Sequence, residues 1–303
     1  MIKKLIGLTL ALILVFSLSA CGESSVQKPI TDDKSTQTST SEESTAEESS
    51  SSPESSTVSI ESTVLLNQDG LVITAKELVD DPIWGMGVKV LIENNTQKNL
   101  GVQCNSLIVN NYMISDLFSS SVAAGKKSND TIYLSSSGLQ AAGITTISDI
   151  VFSFHVFDND TYETLFDTDE IELKTSAYGT VEQLKMDDGK ELYNQDGIRI
   201  VGKYVDENSF WGAGVLLFIE NNYGNNIMVQ CDNMSINGFM VTPYFSCTVN
   251  NGRMALDDIT IMSSDLEENG ITSVDDVELI FKIINPDSFQ TIVETDPITF
   301  STK

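Results

Sequence analysis

A shift of 127 positions lays the chain on itself, and that internal repeat constrains the fold more than any other feature. Asn67-Gln68-Asp69-Gly70 meets Asn194-Gln195-Asp196-Gly197, and Trp84-Gly85 meets Trp211-Gly212. Ile92-Glu93-Asn94-Asn95 meets Ile219-Glu220-Asn221-Asn222, and Val102-Gln103-Cys104 meets Val229-Gln230-Cys231. Gly143-Ile144-Thr145 meets Gly270-Ile271-Thr272. No gap is needed from 66 to 175, and about 40 of those positions are identical. A unit of about 110 residues is long enough to fold alone. The chain is therefore read as one domain written twice, at 64–176 and 193–303, with 177–192 between.

Within each copy the apolar period is two. Leu71 to Leu78 and Ile198 to Val205 alternate, and Val88 to Ile92 is a β-branched run whose partner, Val215 to Ile219, is more apolar still. Each ends at Asn-Asn and is followed by another apolar stretch, which predicts a β-hairpin with asparagine in left-handed turn positions. Seven or eight short strands per copy at this spacing predict an all-β fold of two tandem β-sandwiches. One helical turn per copy is expected, capped by Ser and stopped by Gly143 or Gly270. Val181 to Met186 is expected to form a short helix between the copies.

The N-terminus reads as an export signal. Lys3 and Lys4 precede an apolar run, Leu5 to Phe16, too short to span a bilayer. Leu18-Ser19-Ala20-Cys21 follows as a lipobox: residues 1–20 are expected to be a signal peptide, and Cys21 to carry a diacylglyceryl group. Two acyl chains suffice for stable anchoring. Residues 21–63 are dominated by Ser, Thr and Glu, with too little apolar surface to offset chain entropy. They are expected to be a disordered tether with a span of about 35 to 40 Å.

Lipobox, acidic tether, a strand ending in Val-Xaa-Ile-Glu-Asn-Asn, a cysteine-bearing strand, then Gly-Ile-Thr leading to another strand: this order resembles the uncharacterised lipoproteins of Gram-positive bacteria that carry tandem immunoglobulin-like domains. The resemblance covers 64 to 303. It implies an immunoglobulin-like sandwich at the cell surface and supplies no catalytic residues.

The formal charge of -27 repels nucleic acid and anionic headgroups, so no nucleic-acid partner is expected. One histidine, His155, aligns with Lys282 and reads as solvated surface. It leaves little basis for a His-based metal site or triad. Acids near Asp158, Asp160, Asp167, Asp169 and Glu170 lack the pattern of an EF-hand loop. No metal, no cofactor and no enzymatic activity are expected. Cys231 and Cys247 are either small buried hydrophobes or a disulfide confined to the second copy. Trp84 and Trp211, each in Trp-Gly-Xaa-Gly, either close one end of a core or stack on a sugar or peptide. The expected function is a non-enzymatic binding or adhesion module, held by lipid at the outer face of the cytoplasmic membrane and meeting a protein or glycan partner. A structural spacer or accessory subunit of an envelope complex is one alternative. A transporter's solute-binding lipoprotein is another; it would need strands and helices alternating around a cleft.

Overall fold

The computed structural model describes residues 27–30 and 58–302. The expected signal peptide, Cys21 and most of the expected tether lie outside the described residues. Strand β1 is Gln27–Pro29. The first repeat contains β2 (Thr63–Gln68), β3 (Leu71–Asp81), β4 (Gly85–Asn94), β5 (Leu100–Val109), β6 (Tyr112–Met113), β7 (Ser119–Val122), β8 (Lys127–Tyr133), helix α1 (Ser136–Ala141), β9 (Asp149–Asp158), β10 (Thr164–Asp167) and β11 (Ile171–Lys174). The second contains β12 (Lys190–Gln195), β13 (Ile198–Ser209), β14 (Gly212–Asn221), β15 (Ile227–Ile236), β16 (Phe239–Val241), β17 (Pro243–Tyr244), β18 (Ser246–Val249), β19 (Arg253–Met262), helix α2 (Ser263–Glu268), β20 (Asp276–Ile284), β21 (Thr291–Glu294) and β22 (Ile298–Ser301).

The fold is all-β, and each repeat is a sandwich. In the first, β2-β3-β4-β8 faces a layer built on β5 and β9. In the second, the layer β12-β13-β14-β19-β17 faces β16-β15-β20-β21. Alternation puts one residue in two between the layers: Val88, Val90 and Ile92 point inward from β4, and Ala213, Val215, Leu217 and Ile219 from β14, all essentially without solvent contact. Asp69-Gly70 and Asp196-Gly197, all at positive φ, make the tight turns β2–β3 and β12–β13.

The Asn-Asn segments behave otherwise than expected. Strands β4 and β5 belong to different sheets, so the chain crosses between layers there instead of forming a hairpin. Asn94 is a buried plug. Its amide donates to the carbonyls of Lys98 and Val122 at 2.8 Å each, and its oxygen accepts from the amide of Thr96 at 2.9 Å. Asn221 does the same with Asn225, Val249 and Tyr223. The left-handed asparagines lie one turn later, at Asn110-Asn111 and Asn237.

Three further expectations are corrected. Ser135 caps α1 by accepting from the amide of Gly138, but α2 is preceded by Met262 and has no side-chain cap. Residues 181–186 run without helix. Their polar groups are taken by the first repeat: Gln183 receives the Asn110 amide at 3.0 Å, and the Tyr112 hydroxyl bridges Leu184 and Met186. Lastly, Gln27–Pro29 of the expected tether pairs antiparallel with β13, Lys28 facing Val205. Lys28 meets Glu207 at 2.8 Å, and Ile30 is buried in the second core.

The repeats are welded together. A single parallel step, Tyr112 beside Met254, joins β6 to β19 and so links one layer of each sandwich into a 12-stranded sheet. Val201, Phe218 and Met254 of the second repeat are buried in the core cluster of the first. Phe218 lies on the face of β14 opposite its own core. That is why this strand is more apolar than its partner β4.

Candidate functional site

The two tryptophans sit at hairpin tips. Between β3 and β4 the Asp81 carboxylate accepts from the amides of Ile83 and Trp84 at 2.8 and 2.9 Å. Those two amides, Trp84 first, hold its pKa below the usual carboxylate value. Gly85 follows at φ +76, and a Cβ there would lie 2.4 Å from the Ser136 hydroxyl. The turn therefore needs glycine and throws the indole outward. Trp84 is 63% exposed and Trp211 57%, so neither closes a core. Trp211 packs edge-on against Phe210 at 4.8 Å, on the other sandwich; the indoles do not share a site.

Beside Trp84 lies an open slot of about 640 Å³. One wall is Asp116, Leu117 and Phe118; the other is Tyr133 and Leu134 at the end of β8, with Trp84 across the mouth. The Trp84 and Tyr133 rings are 6.0 Å apart and tilted by 35°. Leu117 is fully exposed. The Asp116 carboxyl is raised above its ordinary value, chiefly by burial, against the lowering effect of the Phe118 amide and the Cys104 thiol. The lining is mostly apolar, with two carboxyl groups, Asp116 and Asp130.

The second repeat shows what this slot lacks. There Pro243-Tyr244, the counterparts of Asp116-Leu117, form β17 and pair with Ile261 and Thr260 of β19. Asp265 of α2 holds that segment by accepting the Thr242 amide at 2.8 Å. The position equivalent to Asp265 is Gly138, which has no side chain to hold Ser115. In the first repeat β8 consequently has a strand neighbour on one side only, β4. Sequence reasoning singled out Trp84 and missed the other walls. The available signal was the divergence of Asp116-Leu117 from Pro243-Tyr244 and of Gly138 from Asp265, inside an otherwise faithful repeat.

The remaining candidates do not assemble into chemistry. Cys104, Cys231 and Cys247 are free, so the Cys231–Cys247 disulfide is not formed. Cys247 lies opposite Val229, two residues from Cys231 along β15. Burial pushes the Cys231 thiol up to about 12, and the Cys247 thiol well above its usual value, beside Asp257. Thiols held protonated are poor nucleophiles. His155 Nδ1 lies 2.7 Å from Asp167, and its counterpart Lys282 lies 3.5 Å from Asp232. Asp158 is tied to Lys98 at 2.9 Å and Glu170 to Arg253. Among the described residues no three His, Cys, Asp or Glu side chains converge as metal ligands. None of the described helices is long and apolar enough to cross a membrane.

No protein-family model matches the chain, and no curated protein does. Among solved structures it is similar to the YadV chaperone, at 15% identity and a TM-score of 0.22, over 69% of this chain and 90% of that one. It is also similar to the Salmonella enterica SafA pilin in complex with the SafB chaperone, at 10% identity and a TM-score of 0.22, over 71% and 88% of the two chains. Likeness this loose carries no argument about ligand or activity.

Proposed function

We propose that the chain is a lipid-anchored, non-enzymatic binding protein of the outer face of the cytoplasmic membrane, and that the slot beside Trp84 is its contact surface. One observation carries the reading: an apolar, aromatic-mouthed slot lies along a strand edge that is open in one repeat and covered by β17 in its duplicate. A solvent-exposed indole and Leu117 beside it are surfaces that a folded chain retains for a partner. The lipobox ending at Cys21 supports the anchor. The protonated thiols and the scattered, ion-paired acids support a role without catalysis. The welded joint between the repeats also suits a spacer, which would present the slot at a set distance from a partner complex. Two β-sandwiches without alternating helices do not favour a transporter's solute-binding fold.

In cells, a photo-crosslinking residue at Leu117 should give one dominant adduct that Trp84→Ala removes. The same residue at the exposed Tyr162 should not give it. Identical adducts from both positions would dismiss the slot as the contact surface. Metabolic labelling with an alkyne fatty acid should mark the full chain and not its Cys21→Ser variant; equal labelling removes the anchor.

A further inference from the structure

We infer that the slot takes an extended polypeptide segment, added as a strand to the free edge of β8, with an apolar-aromatic centre and basic flanks. This rests on the binding reading above and names the class of partner.

The duplicate shows the occupant. In the second repeat the same edge, at Ile261 and Thr260, is covered by an extended piece of chain, Pro243-Tyr244, running antiparallel to it. There the pairing leaves that edge covered by backbone, with Tyr244 still about half exposed. The backbone of β8 is ready for the same pairing. The Leu134 amide donates to Met86 at 2.9 Å, toward β4. In an antiparallel ladder successive residues present their N–H and C=O to opposite sides, so those of Tyr133 face the slot. A strand laid there gains main-chain hydrogen bonds for affinity. Alternate side chains enter the slot for specificity, the mode by which extended peptides extend sheets.

The lining selects the chemistry. Trp84, Tyr133, Leu117 and Phe118 offer plates and apolar wall to a bulky aliphatic or aromatic side chain. Asp116 and Asp130 stand on opposite walls, and the whole chain carries -27. An approaching basic segment is steered in and an acidic one is repelled. A volume of about 640 Å³ is that of a site for a few residues.

The probe is a blocked peptide copying this chain's Val241-Thr242-Pro243-Tyr244-Phe245, with a lysine at each end, titrated against the full chain by fluorescence anisotropy. Trp84→Ala should weaken binding at least tenfold, and glutamates in place of the lysines at least fivefold at low salt. Methylating the tyrosine amide, which would face Tyr133, should cost at least tenfold. Methylating the phenylalanine amide, which would face away, should cost less than threefold. Gly138→Asp supplies the anchor that Asp265 gives the second repeat; it should let residues 115–118 close over the edge and reduce peptide binding tenfold. Equal binding by both methylated peptides overturns the inference, as does preferential binding of a fluorescent alkyl-chain probe. So does a dimer of the full chain whose dissociation is needed for the peptide to bind. No peptide binding, with the Leu117 adduct still formed in cells and still lost in Trp84→Ala, would leave the contact surface standing and remove the added strand.

Discussion

Asn94 and Asn221 are almost fully buried, and each satisfies its amide and carbonyl on backbone groups of two separate segments. Removing such a side chain takes the partner from two carbonyls, one of them fully buried, and from an amide, at about 1–3 kcal/mol per buried group. Asn221→Ala should therefore lower the unfolding free energy by roughly 2–4 kcal/mol in a urea melt; a loss below about 1 kcal/mol would mean that water replaces the amide. Asp257 is the opposite case, a carboxyl at an inward-facing position of β19. Burial, partly offset by the Asp258 amide, reinforced by the Asp258 carboxylate and offset again by the Cys247 thiol, raises its pKa to about 6. A folded value above the unfolded one means that its stabilising contribution is complete below about pH 4 and disappears as pH rises through 6. Asp257→Asn should stabilise the chain at pH 8 by about 1–2 kcal/mol and have little effect at pH 4. Thermal melts at the two pH values check this, and an equal effect at both would refute it. Phe289 sits at φ 56, is mostly exposed, and takes the place of Tyr162 at φ 61 in the first repeat. Asparagine tolerates this region better than phenylalanine does. Phe289→Asn should raise stability by about 0.5–1 kcal/mol in denaturant titrations; an unchanged or lower stability would refute a strain cost at this position.

At the level of strands and turns, the Asn-Asn segments show where legibility ends. The alternating pattern of β3, β4, β13 and β14 shows inward and outward faces directly, because period two is a local property. Which strand pairs with which is not local. A crossover between layers and a hairpin both follow an apolar run with a polar turn, and only the buried amide of Asn94 distinguishes them. The slot was half legible for a similar reason. Trp84 stands out as a residue, whereas the open edge of β8 depends on Gly138 not holding a segment more than twenty positions earlier. The docking of β1 was hidden because its decisive contact is a missing atom. A Cβ on Gly202 would lie 2.8 Å from Ile30 Cδ1, and the first repeat has Ala75 at this position. Gly202→Ala should push the end of the Ile30 side chain aside and loosen β1 while leaving the sandwich melt within about 1 kcal/mol, since only side-chain ends are displaced. Limited proteolysis after Lys28 should accelerate several-fold in the variant; unchanged cleavage would show that β13 does not hold the segment.

For the molecule as a whole, the joint decides whether the repeats act as one body. Arg253 reaches both Asn111 and Glu170, the Tyr112 hydroxyl grips residues 184 and 186, and Lys185 meets Glu220 at 2.7 Å. These polar contacts surround Phe218, Val201 and Met254. A fully buried phenylalanine is worth about 3–5 kcal/mol against alanine. Phe218→Ala should separate one calorimetric transition into two, because its outward face binds the first repeat while the inward residues of β14 keep the second core intact. A single undivided transition at lower temperature would place Phe218 in one core only.

The pairing of β1 with β13 also sets a distance. From Cys21 to Gln27 there are six residue steps, no more than about 20 Å of chain. Were Cys21 acylated as proposed, this short line would moor the second sandwich beside the bilayer. In that arrangement the length of the sequence from 31 to 57 would not set the stand-off height, because Ile30 is already held by the second core. Lengthening that stretch should leave the height unchanged until Ile30 lets go of its berth.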